Sequence, residues 1–591
     1  MRNQKINWQN VVGGCNINSD KHRHWHETVF VIGAALPKNK IMSSEFHAYK
    51  RRWIYLFVAC LVNFSNGNTW ITYAPITFQT NDFYGNSNAA LLFNLIFMAL
   101  SIPVGFLSCW WTDRYGLRSA ILASVFQFHI GAWTNFIGNV IRVAGSGEWF
   151  SKNVRFPMAF TGQAVAAFAQ PFVMFLPTKL AAFWFPPDQR VIANTLSSMS
   201  NPIGIAVMYS ISPLIVNESH PNAFPLLASL NVLPSKIDHP KLEKPILTKI
   251  SSGDLRVPPA MMLSSFSFSC LRNENLKFCI ALAIRFQTGV CAGLATVTAV
   301  FTLFITRSKP PTPVAASRDS EVEVPGFLEG VKLCARSKTY WVLAVCLGGG
   351  VGLFNALYNN LQPALCVLGY SASFSGGMGT LLIMSGLVGA AITGIYVDMT
   401  GQFEKTMKVS FLLAGIAACS LAVSINYEAM QGWVVASIFL FGAFGFAIYP
   451  IGLEMGSEDI VHVLQYRVCQ STRSSEAKFF LPFLLKLGES PSTGIASFFS
   501  QVQGVIYVIL TNIFVGQPDA HELAVQTCVD KNSNLKTVVT WSVPFLIWAG
   551  GVCLLIILFV GLFWPKYKRR DYEAQAKRDV CGSVSTYEER F

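Results

Sequence analysis

Cys109-Trp110-Trp111-Thr112-Asp113-Arg114-Tyr115-Gly116-Leu117-Arg118 joins two long apolar runs, and its reading decides the fold. An acid, a turn glycine and two arginines stand where a membrane-crossing helix has to end. Gly394-Ile395-Tyr396-Val397-Asp398-Met399-Thr400-Gly401, followed by Glu404 and Lys405, separates two further apolar runs far downstream. Each copy reads as a tight cytoplasmic loop. Asp113 and Asp398 sit at helix ends, the glycines permit φ > 0, and Arg114, Arg118 and Lys405 stay in headgroup water. Two related loops at equivalent places imply an internal repeat.

This spacing resembles the loop motif of the major facilitator superfamily, Gly-x-Leu-Ala-Asp-Arg-x-Gly followed by two basic residues. Cys109 stands at the usual first glycine and Leu117 at a basic position; the second copy keeps Gly394, Asp398 and Gly401 but lacks the arginine after the acid. The resemblance implies a twelve-helix transporter built from two repeated halves.

Composition agrees with a life in the bilayer. Of the 591 residues 52% are hydrophobic and 13% charged, against about 25% charged in ordinary soluble domains. The formal charge of +13 raises nucleic acid as a partner, but the Lys and Arg lie mostly in loops and tails, where orientation in a membrane explains them. No nucleic-acid partner is expected; the partners are the lipid bilayer and a small-molecule solute, and the chain is expected to act as a monomer. The fourteen cysteines show no Cys-x-x-Cys spacing, and Cys60, Cys346 and Cys553 lie in apolar runs. They read as small buried hydrophobes rather than as a disulfide framework or zinc site.

In chain order, residues 1–50 form a polar N-terminal tail without a signal peptide; its tract Lys21-His22-Arg23-His24-Trp25-His26 reads as solvated rather than metal-binding. Apolar spans are predicted over 53–75, 88–110, 117–141, 156–184, 191–216 and 286–306, then 340–362, 374–397, 406–425, 431–455, 493–515 and 540–564. Each is near the roughly 20 residues a bilayer requires. The expected fold is therefore all-α and integral to the membrane, twelve transmembrane helices in two pseudo-symmetric six-helix bundles: 51–306 and 340–564. A linker, 307–339, joins them and ends in a short interfacial helix carrying Phe327, Leu328, Val331 and Leu333. Residues 565–591 make a C-terminal tail. Residues 234–285 and 459–487 lack apolar periodicity, and two readings stay open: real loops particular to this chain, or translated non-coding sequence.

Loop charge predicts the orientation. The loops on the side of Asp113 hold the Lys and Arg, while those near 76–87, 363–373 and 426–430 hold none. Both termini are expected in the cytoplasm, with the plasma membrane or an endolysosomal membrane as the compartment. Asn217-Glu218-Ser219 is a glycosylation sequon in a predicted outer loop.

A narrower resemblance follows from three runs: Pro177-Thr178-Lys179-Leu180-Ala181-Ala182-Phe183-Trp184-Phe185-Pro186, Ala193-Asn194-Thr195-Leu196-Ser197-Ser198-Met199-Ser200-Asn201-Pro202-Ile203-Gly204, and Ala344-Val345-Cys346-Leu347-Gly348-Gly349. In order, they resemble solute carrier family 49. The resemblance covers about 51–570 apart from the two irregular segments. It implies transport of a small organic solute by alternating access, a choline-like cation first and haem second. In the choline-transporting relatives a Trp of the first span and glutamines of other spans line the site; Trp70 looks like that Trp, and Gln170 and Gln501 look like those glutamines.

Physical chemistry supplies its own reading of these residues. Trp70 and Tyr73 are three apart and are expected to share a helix face, which can hold a quaternary ammonium by cation–π attraction or serve as an interfacial aromatic belt. Each glutamine either lines a cavity or makes an interhelical hydrogen bond. Asn355, Tyr358, Asn359 and Asn360 form an outer gate or cap a helix end. No Asp or Glu falls in mid-span, which favours facilitated diffusion over proton coupling, with His129 the reservation. No enzyme, cofactor or metal site is expected: His26-Glu27 and His521-Glu522 lack the second histidine of a zinc helix, and no phosphate-binding glycine loop is present. The remaining alternative is a non-transporting receptor or scaffold.

Overall fold

The computed structural model of the chain describes residues 49–114, 116–147, 150–174, 176–186, 189–216, 276–305, 337–427, 430–471, 489–528 and 538–563. The side chains of 109–127, 398, 454 and 456–471, among others, fall outside that description, as do Asn217, residues 307–336 with the expected interfacial helix, and residues 1–48 and 565–591. In hydrocarbon a chain must satisfy its own backbone polar groups, so the long apolar runs become helices. The first half contains α1 (Arg52–Ile71), α2 (Thr77–Tyr84), α3 (Ala89–Arg114), α4 (Gly116–Ser146), α5 (Lys152–Ala167), α6 (Gln170–Met174), α7 (Leu176–Trp184), α8 (Arg190–Ile215) and α9 (Leu276–Thr302). The second contains α10 (Lys338–Val367), α11 (Ala372–Thr400), α12 (Phe403–Ser424), α13 (Gln431–Ser471), α14 (Glu489–Ile513), α15 (Ala520–Val525) and α16 (Ser542–Leu562).

Eight of these, α3, α9 to α14 and α16, are long and apolar enough to cross a membrane. The more polar α1, α4, α8 and the broken run α5–α7 complete twelve segments, six in each half. The halves repeat one packing plan. The first segment lies along the fifth (α1 with α8, α10 with α14), the third along the sixth (α4 with α9, α12 with α16), and the second along the fourth (α3 with α5, α11 with α13). Small residues permit the closest approaches. A Cβ on Gly352 would lie 2.7 Å from the backbone nitrogen of Gly504, and one on Gly138 would lie 2.5 Å from that of Ala166.

Several boundaries differ from the sequence reading, each for a local reason. α1 stops at Ile71 because Pro75, opening a 3-10 turn over Ala74–Ile76, has no N–H to continue the ladder. α4 continues past 141 to Ser146 and so takes Arg142 into the bundle. α9 begins at Leu276, ten residues before the expected span, and α13 continues to Ser471. The loop after α11 is as tight as expected: Gly401 has φ of +63° and its N–H returns to Val397 O, and Glu404 pairs with Lys408 at 2.5 Å. The cysteine reading needs correction. Cys366, at the far end of α10, is disulfide-bonded to Cys528, 162 residues away, whereas Cys60, Cys346 and Cys553 are free. Absence of Cys-x-x-Cys spacing says nothing about a bond across such a separation.

Candidate functional site

Among the described residues the two halves meet along α3 and α14, where the Phe106 and Phe498 rings are 5.9 Å apart, and at the end remote from the Asp113 loop. There α8 meets α11, and the 74–76 turn meets α10. The hydroxyl of Tyr209 donates to the Tyr358 carbonyl, with the two rings 6.2 Å apart. Ser210 Oγ and Thr380 Oγ1 share a hydrogen bond of 2.7 Å, and Thr380 donates to Ala206 O at 3.0 Å. Gly376 and Gly379 of α11 allow this contact: a Cβ on Gly379 would stand 2.6 Å from Cγ and Cε1 of the Tyr209 ring. The structure therefore has its remote end closed by Tyr209, Tyr358, Ser210 and Thr380.

Behind that closure lies the face of α1 that carries Trp70. Ser65 and Thr69 accept hydrogen bonds from Asn135 and Asn139 of α4 at 3.0 and 2.9 Å. Gly67 presses on Asn201 of α8. The helical repeat leaves Asn66 and Trp70, four apart, on the remaining side. Trp70 is 6% exposed, stacks on Phe97 of α3 at 6.5 Å, and packs in one apolar cluster with Leu353, Leu357 and Tyr358 of the other half. Its Nε1 has no hydrogen-bond partner; nor has either amide atom of Asn66, Oδ1 of Asn94, Oε1 of Gln170 or Oδ1 of Asn359. Buried polar atoms are nearly always paired, so such a group is where water or a solute is accommodated.

Gln170 opens α6 and is 6% exposed. Gln501 is half-buried on α14. Gly504, three residues on and so on the same face, stands against Met98 of α3 and the Asn355 amide of α10. Gln503, by contrast, turns into its own half and donates to Val345 O at 3.1 Å. Trp70, Gln501, Asn355 and Tyr358 thus belong to surfaces that face across the boundary between halves. α10 runs on to Val367, so neither Asn355 nor its neighbours cap it; Asn360 instead bonds Thr511 and Asn512 of α14.

Past Ile71 the backbone stays αR through Thr72 and Tyr73, so both rings turn to the same helix: Trp70 meets Phe97 of α3 and Tyr73 meets Phe93, one turn along it. The Tyr73 ring lies under the Arg142 guanidinium, 4.8 Å from Cζ, and packs on Phe93 and Tyr84. Such a desolvated cation–π contact is worth about 2 kcal/mol. Arg142, fully buried, escaped the sequence reading because the third span was ended one residue before it. A signal was present: Asn135, Asn139 and Arg142 recur at helical spacing opposite Ser65 and Thr69. Tyr209 and Thr380 carried no sequence signal, since their roles exist only across the boundary. The side chains of Asp113, Arg114, Arg118 and Asp398 lie outside the described residues, while Gly394 stands in open space within α11.

No protein-family profile matches the chain. It is 30% identical over 529 residues to solute carrier family 49 member A3 of Xenopus tropicalis, covering 89% of each chain. It is 23% identical over 431 residues to a choline/ethanolamine transporter of Danio rerio, covering 71% of this chain and 74% of that one. Among solved structures, a D-xylose–proton symporter of the same helical architecture superposes with a TM-score of 0.52 at 13% identity, over 87% of this chain and 98% of the other.

Proposed function

Because the chain belongs to solute carrier family 49, multi-pass membrane transporters of the major facilitator fold, we propose that it is a facilitator of a choline-like organic cation. The carrying observation is Trp70: a buried indole at the boundary of the halves, with its N–H and the neighbouring amide atoms unpaired. A quaternary or primary ammonium needs a π-face and neutral oxygen partners in a dry site. Trp70 offers the face, and Gln170 and Gln501 offer one neutral amide from each half. Tyr73, whose ring already faces Arg142, is assigned to that guanidinium rather than to solute. Asn355 and Tyr358 are assigned to the closing end.

Among the described residues no Asp or Glu side chain is buried, which supports facilitated diffusion over proton coupling. One chain holds both halves, so alternation requires no second copy, and the reading contains no catalytic step. The distant kinship to a choline/ethanolamine transporter supports the solute class. The test is uptake of radiolabelled choline by cells expressing the protein, with haem as the comparison solute. Trp70→Ala is expected to lose about tenfold or more in apparent affinity at unchanged surface level, and Trp70→Phe to keep part of it. Gln170→Ala and Gln501→Ala should each weaken uptake. Absence of uptake together with absence of a ligand-induced thermal shift for either solute sinks this assignment and favours a receptor or scaffold.

A further inference from the structure

Arg142 is fully buried, and among the described residues none of its partners is a carboxylate. Its Nη1 donates to Asn139 Oδ1 at 2.9 Å and to Thr69 O at 3.4 Å, and the guanidinium lies over the Tyr73 ring, while Nε and Nη2 have no hydrogen-bond partner among the described residues. An ionic side chain inside a membrane bundle is costly and is retained where something compensates it. Here the compensation is the end of α1. The helix stops at Ile71, and the C-terminal turn of a helix carries the negative end of its dipole. Three further donors converge on the same turn. Gln163 of α5 reaches Thr69 O and Trp70 O at 3.4 and 3.5 Å, Gln287 of α9 reaches Thr72 O at 2.8 Å, and Ser212 of α8 reaches Thr72 O at 3.5 Å. Four helices thus hold the broken end of the first, and Arg142 brings the only formal charge among those donors.

We propose that Arg142 is a positioning residue for solute binding: it is the counter-charge of the broken end of α1 and fixes the Thr69–Tyr73 turn from which Trp70 projects. It rests on the assignment of Trp70 to the solute site, but only for its transport arm. The guanidinium acts through α1 and does not touch the solute. Charge is therefore required, and volume alone does not suffice. A lysine, carrying the same charge on a shorter reach, restores much of the function, whereas glutamine, neutral, does not.

The test has two readouts on the full-length protein. Hydrogen–deuterium exchange of the peptide covering 69–76 is expected to speed about tenfold in Arg142→Gln, with the second half unchanged, and to stay within about threefold of wild type in Arg142→Lys. Choline uptake is expected to show KM raised about tenfold in Arg142→Gln, with Vmax per surface molecule within about twofold, and most of the KM recovered in Arg142→Lys. Unchanged exchange at 69–76 in Arg142→Gln, or a lysine no better than glutamine, overturns the proposal. Loosened exchange with a wild type that does not carry choline leaves Arg142 in this role and removes the choline assignment instead. Should Arg142→Gln fail to fold, Arg142→Lys is read alone against wild type: with the charge kept, exchange at 69–76 should stay within about threefold, and a speeding of about tenfold or more likewise overturns the proposal.

Discussion

Replacing Gly379 with alanine should unlatch the remote end of the transporter. The added methyl would stand 2.6 Å from Cγ and Cε1 of Tyr209, about 1 Å inside an ordinary carbon–carbon contact. Tyr209 has little freedom to retreat. It is fully buried, its hydroxyl is bonded to Tyr358 O, and its backbone carbonyl is pressed against Gly376. Overpacking of this kind costs about 1–3 kcal/mol, and any ring movement that breaks the hydrogen bond adds about 1 kcal/mol. Since the clash joins α8 of one half to α11 of the other, the cost falls on the closed arrangement and vanishes when the halves part. Taking about 2 kcal/mol, the closed-to-open ratio should fall about 30-fold.

The assay is the rate at which a soluble maleimide labels Ser210→Cys, a position closed off against Thr380, in lipid nanodiscs that expose both faces. Labelling should quicken about 10- to 30-fold when Gly379→Ala is added. Gly377→Ala is the matched control: it lies on the same helix with nothing within 4 Å of its added Cβ, and it gains the same helix propensity. Equal labelling rates for the two alanine variants would refute the reasoning, because propensity rather than the Tyr209 contact would then govern the equilibrium.

Two further outcomes are expected. Disulfides form in oxidising compartments, so the Cys366–Cys528 bond at the end of α10 supports an external or lumenal position for the closed end; an N-terminal tag should stain only after permeabilisation, and Asn217 should carry glycan, whereas staining of intact cells would reverse the topology. Asp113→Asn should shift the balance between the two arrangements without loss of folded protein, and no change in Ser210→Cys labelling would reduce the Asp113 loop to a simple turn.

Much of the architecture was legible because bilayer physics leaves few options. Runs of apolar residues near the span length and two Asp–Gly loops in register were enough to place twelve segments in two halves. What escaped depended on pairs distant in sequence. Cys366 and Cys528 are individually unremarkable residues near loop ends, and Gly379 reads as one more small residue in an apolar run until Tyr209 is set against it. Arg142 was missed for a different reason. Hydropathy ends a span at the first charge, whereas α4 continues because the charge is taken up by Asn139, Thr69 and the Tyr73 ring.

The two halves do not use the membrane in the same way, and the difference bears on how a boundary site can work. The apolar interior of the first half is split. One cluster, around Tyr55, Leu176 and Trp184, lies toward the Asp113 loop, and another, around Tyr73, Tyr84 and Phe93, lies at the closed end. Between them runs a polar layer of Ser65, Asn135, Thr69, Asn139, Arg142 and Gln163, tied by side-chain and carbonyl hydrogen bonds. The second half is packed as one large apolar cluster that extends to Trp70 and Phe97 of the first. A hydrogen-bonded layer fixes geometry more sharply than apolar packing, because each bond is lost if its helix slides or turns. The first half is thereby suited to carry Trp70 as a rigid unit. Among the described residues the boundary holds mainly apolar contacts and the few hydrogen bonds of Tyr209, Ser210 and Thr380, an arrangement in which the second half can rock against that unit at small polar cost, as alternating access requires.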